Sequence, residues 1–136
     1  MITQSDKLSP ELKEWMLSEF DKLSAEHLKL HKRKSFAFTK NVDGKEVGFV
    51  EGGLSSFGWC HVDNVFVSEE SRLKGYGKEL MDQVEVYAKE NNRYGVLLAT
   101  QAFQAPSYYE KLGYEKYGEL SGFAGEYSRI YYVKRF

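Results

Sequence analysis

Apolar side chains recur with two different periods along this chain, and the period changes at turn residues. Near the N-terminus Leu12, Met16, Phe20, Leu23, His27 and Leu30 return every three or four positions, which predicts one apolar stripe on a helix that bends near Ser24. Ser9-Pro10-Glu11 supplies its start: a hydroxyl cap, a first-turn proline and an acid at the positive end of the dipole. From Lys34 to Lys40 the period falls to two, a strand. Asn41-Val42-Asp43-Gly44 reads as a turn, and Glu46 to Leu54 returns as a second strand, with Gly52-Gly53 marking a bulge. Trp59 to Val67 (WCHVDNVFV) is the strongest strand. Strict alternation puts Trp59, His61, Asp63, Val65 and Val67 on one face and Cys60, Val62, Asn64 and Phe66 on the other. A helix follows over Gly75 to Asn91, with Leu73, Tyr76, Gly77, Leu80, Met81, Val84, Tyr87 and Ala88 expected on its buried side. Tyr94 to Thr100 is an apolar strand buried on both faces. A short helix spans Ala105 to Leu112 and stops at Gly113. Tyr114 to Leu120 and Ser128 to Arg135 are two more strands around a glycine-containing loop. This order predicts an α/β (mixed α+β) fold: one domain over residues 1–136, a mixed, mostly antiparallel sheet flanked by helices on both faces.

Composition narrows the class of protein. The chain has 136 residues, 42% of them hydrophobic, enough for one core. With 19 Lys+Arg against 20 Asp+Glu the net charge is -1, so no global basic field points to nucleic acid or to an anionic membrane. No apolar run is long enough for a membrane span and the first residues lack an apolar signal core, so a cytoplasmic location is expected. The lone Cys60 forms no internal disulfide. His27 and His31 stand at the spacing of a metal pair, yet only Glu26 lies beside them, and no metal is predicted.

The sharpest local feature is Arg72-Leu73-Lys74-Gly75-Tyr76-Gly77-Lys78, where a strand ends and a helix opens. Free N–H groups at a helix start form an anion site, and glycines let the backbone approach phosphate oxygens. Arg72, Lys74 and Lys78 add positive charge around it. A Walker A loop is ruled out, because Arg72 stands where its first glycine belongs and Glu79 follows the lysine. A dinucleotide fingerprint is ruled out too, because Leu80 occupies the third glycine position. What remains is a complete Arg-x-x-Gly-x-Gly.

Further along, residues 105–114 read Ala-Pro-Ser-Tyr-Tyr-Glu-Lys-Leu-Gly-Tyr. With both motifs in this order, and Val65-Phe66-Val67 ending the strand before the turn, the chain resembles the GNAT superfamily of acetyl-CoA-dependent N-acetyltransferases from about Ser35 to Arg135. Ala105, Tyr108, Tyr109, Gly113 and Tyr114 match that family's Ala-x-x-Phe-Tyr-x-x-x-Gly-Phe. One departure is Ala102, which stands where many members carry a cofactor-contacting Asn; that contact is either absent or supplied by Gln101 or Gln104.

The resemblance implies the GNAT fold, acetyl-CoA as cosubstrate and a primary amine as acceptor, a small molecule in preference to a protein. It assigns the pyrophosphate to the backbone of Leu73 to Lys78 and the pantetheine arm to the open edge of Val65, Phe66 and Val67, with Gln104, Ser107 and Tyr109 as further contacts. A backbone N–H near Val65 would meet the developing oxyanion. The attacking amine must be neutral. His61 is the candidate base, imidazole having an ordinary pKa of about 6.5, and Asp63 orients it or holds the amine. Tyr109 would protonate the departing thiolate, with Tyr108 as its packed aromatic partner. Trp59, His61 and Glu126 are the candidate acceptor contacts, Glu126 within the loop Ser121 to Tyr127. The residues outside the cofactor fold are few, so a homodimer that completes the acceptor pocket is expected. A non-catalytic acyl-CoA sensor or interaction module on the same fold is the alternative.

Overall fold

The computed structural model of the chain describes every residue except Ala105, on which the expected start of the second short helix fell. Strands β1 (Lys34–Val42), β2 (Lys45–Leu54), β3 (Trp59–Val67), β4 (Gly95–Gln101), β5 (Glu115–Ala124) and β6 (Tyr127–Arg135) form one six-stranded sheet in the order β1-β2-β3-β4-β6-β5. Among the described residues only β3 and β4 run parallel; the other strand pairs are antiparallel. The parallel pair is joined by the crossover helix α2 (Tyr76–Glu90), as parallel neighbours require. A Cβ at Gly95 would overlap the Lys134 carbonyl oxygen, so glycine lets β4 and β6 close up there.

The β1–β2 hairpin turns on Asp43 (φ 51°) and Gly44 (φ 81°), a two-residue loop whose positive φ values suit Asp-Gly. The Asn41 side-chain oxygen accepts from the Gly44 N–H at 3.0 Å and fixes the turn. Helix α2 lays Leu80, Met81, Val84 and Ala88 against Val50, Cys60, Val62, Val96 and Leu98 of the sheet. Met81, Val84, Val50 and Val96 are wholly buried, each worth roughly 1.5–3 kcal/mol of transfer free energy.

The expected faces of β3 hold as far as Asp63. Glu51 pairs with Asn64 but Gly52 pairs with Val62, which leaves Asp63 as an extra residue in β3. A Cβ at Gly52 would overlap the His61 carbonyl oxygen, so the glycine that signals a bulge permits it from the partner strand. Beyond Asp63 the alternation is inverted. Val65 and Val67 join Cys60 and Val62 on the core side, and Phe66 points out, 47% exposed and stacked on Phe49 at 5.4 Å.

The chain divides into two compact units, Met1–His31 and Lys32–Phe136. The first holds α1 (Pro10–Ala25), capped by the Ser9 hydroxyl, which accepts from the Leu12 N–H at 3.2 Å. The helix ends at Ala25, so His27 and Leu30 lie beyond it and do not extend its apolar stripe. None of its residues is buried. The second short helix, α3 (Ser107–Lys111), is shorter than expected, and β5 and β6 are longer. The expected acceptor loop at Ser121 to Tyr127 is hairpin instead: β5 runs to Ala124 and a tight turn at Gly125-Glu126 returns the chain.

Candidate functional site

Strands β3 and β4 pair only over Trp59–Gly95, Cys60–Val96 and His61–Leu97. Past those positions β3 stays with β2 and β4 stays with β6. The sheet therefore opens into a split. The β4-facing edge of Val62 to Phe66 has no strand partner, a row of backbone donors and acceptors ready for an extended ligand. The bulge at Asp63 sits at the mouth of this split, and the extra residue bends β3 there.

The glycine turn lies at the end of β3. The Arg72 Nε donates to the Val67 carbonyl at 3.1 Å and ties the turn to the strand, so this guanidinium acts as a brace. Leu73, expected on the buried side of the helix, lies before it and is fully exposed, because the helix starts only at Tyr76; it adopts φ 64°, and Gly75 adopts φ 84°. A bulky residue held in the left-handed region without burial is strain that packing does not explain. Among the described residues, the N–H groups of Leu73, Lys74, Gly75, Tyr76, Gly77 and Lys78 donate to no protein acceptor; the first helical bond is Glu79 N–H to the Gly75 carbonyl, at 3.1 Å. Such a nest at a helix start is an anion cradle. Of the flanking lysines, Lys78 is held by Asp82 at 2.7 Å, which raises its pKa. Lys74 carries no such partner among the described residues.

Helix α3 brings the two tyrosines of the second motif to the helix-side face. The Tyr109 ring packs edge-on against Tyr108 (5.3 Å) and Tyr114 (6.1 Å) and lies 6.0 Å from the Tyr132 ring. Burial, then the neighbouring Tyr108, raise the Tyr109 pKa, so this phenol keeps its proton. Its hydroxyl has no partner among the described hydrogen bonds. Tyr108 is more than packing. A Cβ at Gly77 would stand 2.6 Å from its hydroxyl oxygen, so that hydroxyl reaches the start of α2 and the cradle itself. The end of α3 is fixed by Lys134, which donates to the Leu112 carbonyl at 2.9 Å and pairs with the nearly buried Glu85 at 2.8 Å.

The other face of the split carries a cavity of about 300 Å³. His61, Asp63, Ala99, Tyr117, Arg129 and Tyr131 contribute to its lining. His61 and Asp63 therefore meet in one cavity, as alternation up to the bulge requires. Cys60 points the opposite way, and burial pushes its thiol up to about 12, the state of a core residue and no nucleophile.

Other candidates lie elsewhere. Trp59 is outside the cavity, edge-on to Tyr94 at 6.1 Å with the Arg135 guanidinium 5.3 Å from its ring. Glu126 is exposed at the β5–β6 turn and does not line the cavity. The Gln104 side-chain oxygen accepts from the Gln101 N–H at 3.0 Å, which holds the turn after β4. That leaves Gln101 Oε1, buried without a partner, as the acceptor available near the departed Asn position. Ser107 opens α3 and is exposed. No cluster of three potential metal ligands occurs among the described residues, His27 and His31 included. Sequence reasoning missed Arg129, Tyr117 and Tyr131, which enter the cavity from strands distant along the chain.

Comparison with known proteins fits this geometry. The model of the acetyltransferase (GNAT) family matches residues 3–114. A stretch of 73 residues is 36% identical to blasticidin-S acetyltransferase of Streptomyces morookaense, covering 51% of this chain and 54% of that protein. The chain thus matches about half the length of that relative. An acetyltransferase structure from Bacillus cereus superposes with a TM-score of 0.81 at 28% identity over 98% of both chains. A structure described as a streptothricin acetyltransferase of Bacillus anthracis, in complex with acetyl coenzyme A, superposes at 0.71 with 24% identity, over 77% of this chain and 64% of that one. The chain belongs to the GNAT acetyltransferase family.

Proposed function

We propose that this protein is an acetyl-CoA-dependent N-acetyltransferase acting on the primary amine of a small molecule by direct transfer, without an acyl-enzyme. The observation that carries the reading is the split between β3 and β4, which has a cradle of unpaired N–H groups at one end and is lined on its two faces by different titratable groups. Acetyl-CoA, when bound, supplies the activated acyl group. The N–H groups of Leu73 to Lys78 hold its pyrophosphate oxygens, with Lys74 adding charge. The unpaired edge of β3 takes the pantetheine arm as an added strand, and a backbone N–H near Val65 serves as the oxyanion donor. On the cavity side an alkyl amine arrives as an ammonium, since amines of pKa about 10.4 are protonated at neutral pH. Asp63 holds it and His61 takes its proton. Tyr109, a phenol protonated at neutral pH whose pKa burial raises further, gives a proton to the leaving sulfur. A cavity of about 300 Å³ is at the lower end of small-ligand sites, which supports a small acceptor over a protein chain.

The test is thiol release from acetyl-CoA over a panel of chemically diverse amines, with calorimetric titration of acetyl-CoA alongside. Heat on titration and turnover of at least one amine are expected. Tyr109→Phe should lower kcat on the order of a hundredfold while leaving the acetyl-CoA Kd within about twofold. Turnover undiminished in Tyr109→Phe removes this residue from the mechanism. No heat with acetyl-CoA overturns the reading as a whole.

A further inference from the structure

Arg129 stands in the cavity without an acid to answer it. It lies on β6, opposite Gln101 of β4 and Leu120 of β5, and is half-buried. Its guanidinium carbon lies 5.0 Å from the Phe123 ring centroid and 5.8 Å from that of Tyr131. Among the described residues its guanidinium makes no ion pair and no hydrogen bond, although Asp63 lines the same cavity. Aromatic faces hold a guanidinium through its plane and leave the in-plane fork of N–H donors unused. A half-buried fork of that kind is matched to a carboxylate or phosphate oxygen pair.

The cavity is therefore bipolar. Asp63 and His61 occupy the β3 side, and Arg129 the β6 side. Tyr117 and Tyr131, rings 6.0 Å apart, also line it. The strand register gives the scale. His61 is level with Leu97 on β4, and Arg129 with Gln101. Four strand residues and two strand-to-strand steps put their Cα atoms roughly 16 Å apart. The two side chains close part of that distance from either end. What remains suits an amine and an anion joined by a short framework, with aromatic surface beside it.

Resting on the acetyltransferase reading, we propose that the acceptor is a small amine that also carries an oxyanion, and that Arg129 is the residue that selects it. The ammonium end meets Asp63 and His61; the carboxylate or phosphate end meets the Arg129 fork. A purely cationic amine would set its charge against Arg129 and is disfavoured.

The test uses matched amines on one ring: 4-(aminomethyl)benzoate, its carboxamide isostere, and the corresponding aryl phosphonate. Wild-type kcat/KM should favour at least one anionic probe over the amide by about 10- to 100-fold, the size of a charge-assisted hydrogen-bond pair. The carboxylate and phosphonate arms tell the two oxyanions apart. Arg129→Gln should collapse that ratio, and Arg129→Lys should restore part of it; thermal melting of each variant accompanies the kinetics. The same probes are also titrated by NMR in the presence of CoA. If none is turned over, anion-selective binding lost in Arg129→Gln still supports the proposal, and equal or absent binding overturns it. Equal kcat/KM for anionic and amide probes in the wild type overturns it and leaves the acetyltransferase reading standing. Loss of acetyl-CoA binding would instead strike that reading.

Discussion

Gly77 offers a measurement of how the cradle and the second motif are coupled. Its φ is not positive, so alanine is allowed by the backbone, and in a helix alanine is better than glycine by up to about 1 kcal/mol. Space decides the sign. The added Cβ would lie 2.6 Å from the Tyr108 hydroxyl oxygen, inside contact distance, and 3.5 Å from the ring carbon that bears it, an ordinary contact. The ring cannot swing away freely, because Tyr109 stands edge-on to it at 5.3 Å. Overpacking of this kind costs about 1–3 kcal/mol, so Gly77→Ala should be destabilising by about 0–2 kcal/mol net. In a Tyr108→Phe background the offending oxygen is gone. There Gly77→Ala should be neutral or stabilising by up to about 1 kcal/mol.

The coupling between the two changes is then about 1–3 kcal/mol, read from urea unfolding of the four proteins in a double-mutant cycle. Acetyl-CoA titration of the same four separates two causes. If the Cβ acts by displacing Tyr108 and with it the start of α2, affinity falls in Gly77→Ala and recovers in the double variant. A coupling below about 0.5 kcal/mol would refute the contact as the cause and leave the reason for glycine at this position elsewhere in the turn.

Three further outcomes test separate features. Lys74→Ala should weaken acetyl-CoA binding about two- to fivefold, with reduced salt dependence, whereas Lys78→Ala should do less because Asp82 already holds that ammonium; equal effects would refute the distinction. Lys134→Met leaves Glu85 nearly buried without its cation and should cost about 1–3 kcal/mol in urea unfolding, below the usual loss for a buried pair because Lys134 is itself 31% exposed; a change within 0.5 kcal/mol would show that water replaces it. Cys60, pushed up to about 12 by burial, should resist Ellman's reagent at pH 8 until the protein unfolds, and labelling at the rate of a free thiol would refute its burial. Because its folded value is raised, its stabilising contribution is complete below the ordinary thiol value and is lost as pH climbs from about 9 towards 12.

What could be read along the chain was what depends on near neighbours in sequence. The sheet strands, α2 and the Ser9 cap follow from periodicity and local side-chain bonds, and the turn that opens α2 follows from its two glycines. The inversion of β3 at Asp63 does not, because a bulge belongs to a pair of strands. Its visible trace was in the partner, where Gly52 gives up a Cβ to the His61 carbonyl. The charges of the turn were misweighted for a related reason. Arg72, Lys74 and Lys78 look alike in sequence, yet Arg72 donates through Nε to Val67, Lys78 pairs with Asp82, and Lys74 has no such partner among the described residues. The Lys78–Asp82 spacing of four was legible as a helix pair; the Arg72 brace was not, since it depends on the strand end folding back.

Arg129 is the hardest case. On an alternating strand with no acid partner in view it reads as one more solvated cation, and nothing local sets it apart from Arg135. The difference arises only when β4 parts from β3. That opening turns the outward face of β6 at Arg129 and Tyr131 into a cavity wall, while Arg135, level with Gly95 where the strands are still paired, packs on Trp59. The same split that leaves a strand edge unpaired thus turns selected outward side chains towards a cavity. Specificity in this protein is accordingly to be sought on the outward face beyond the last paired residues, His61 and Leu97, and a substitution at Arg135 should leave acceptor choice untouched where one at Arg129 changes it.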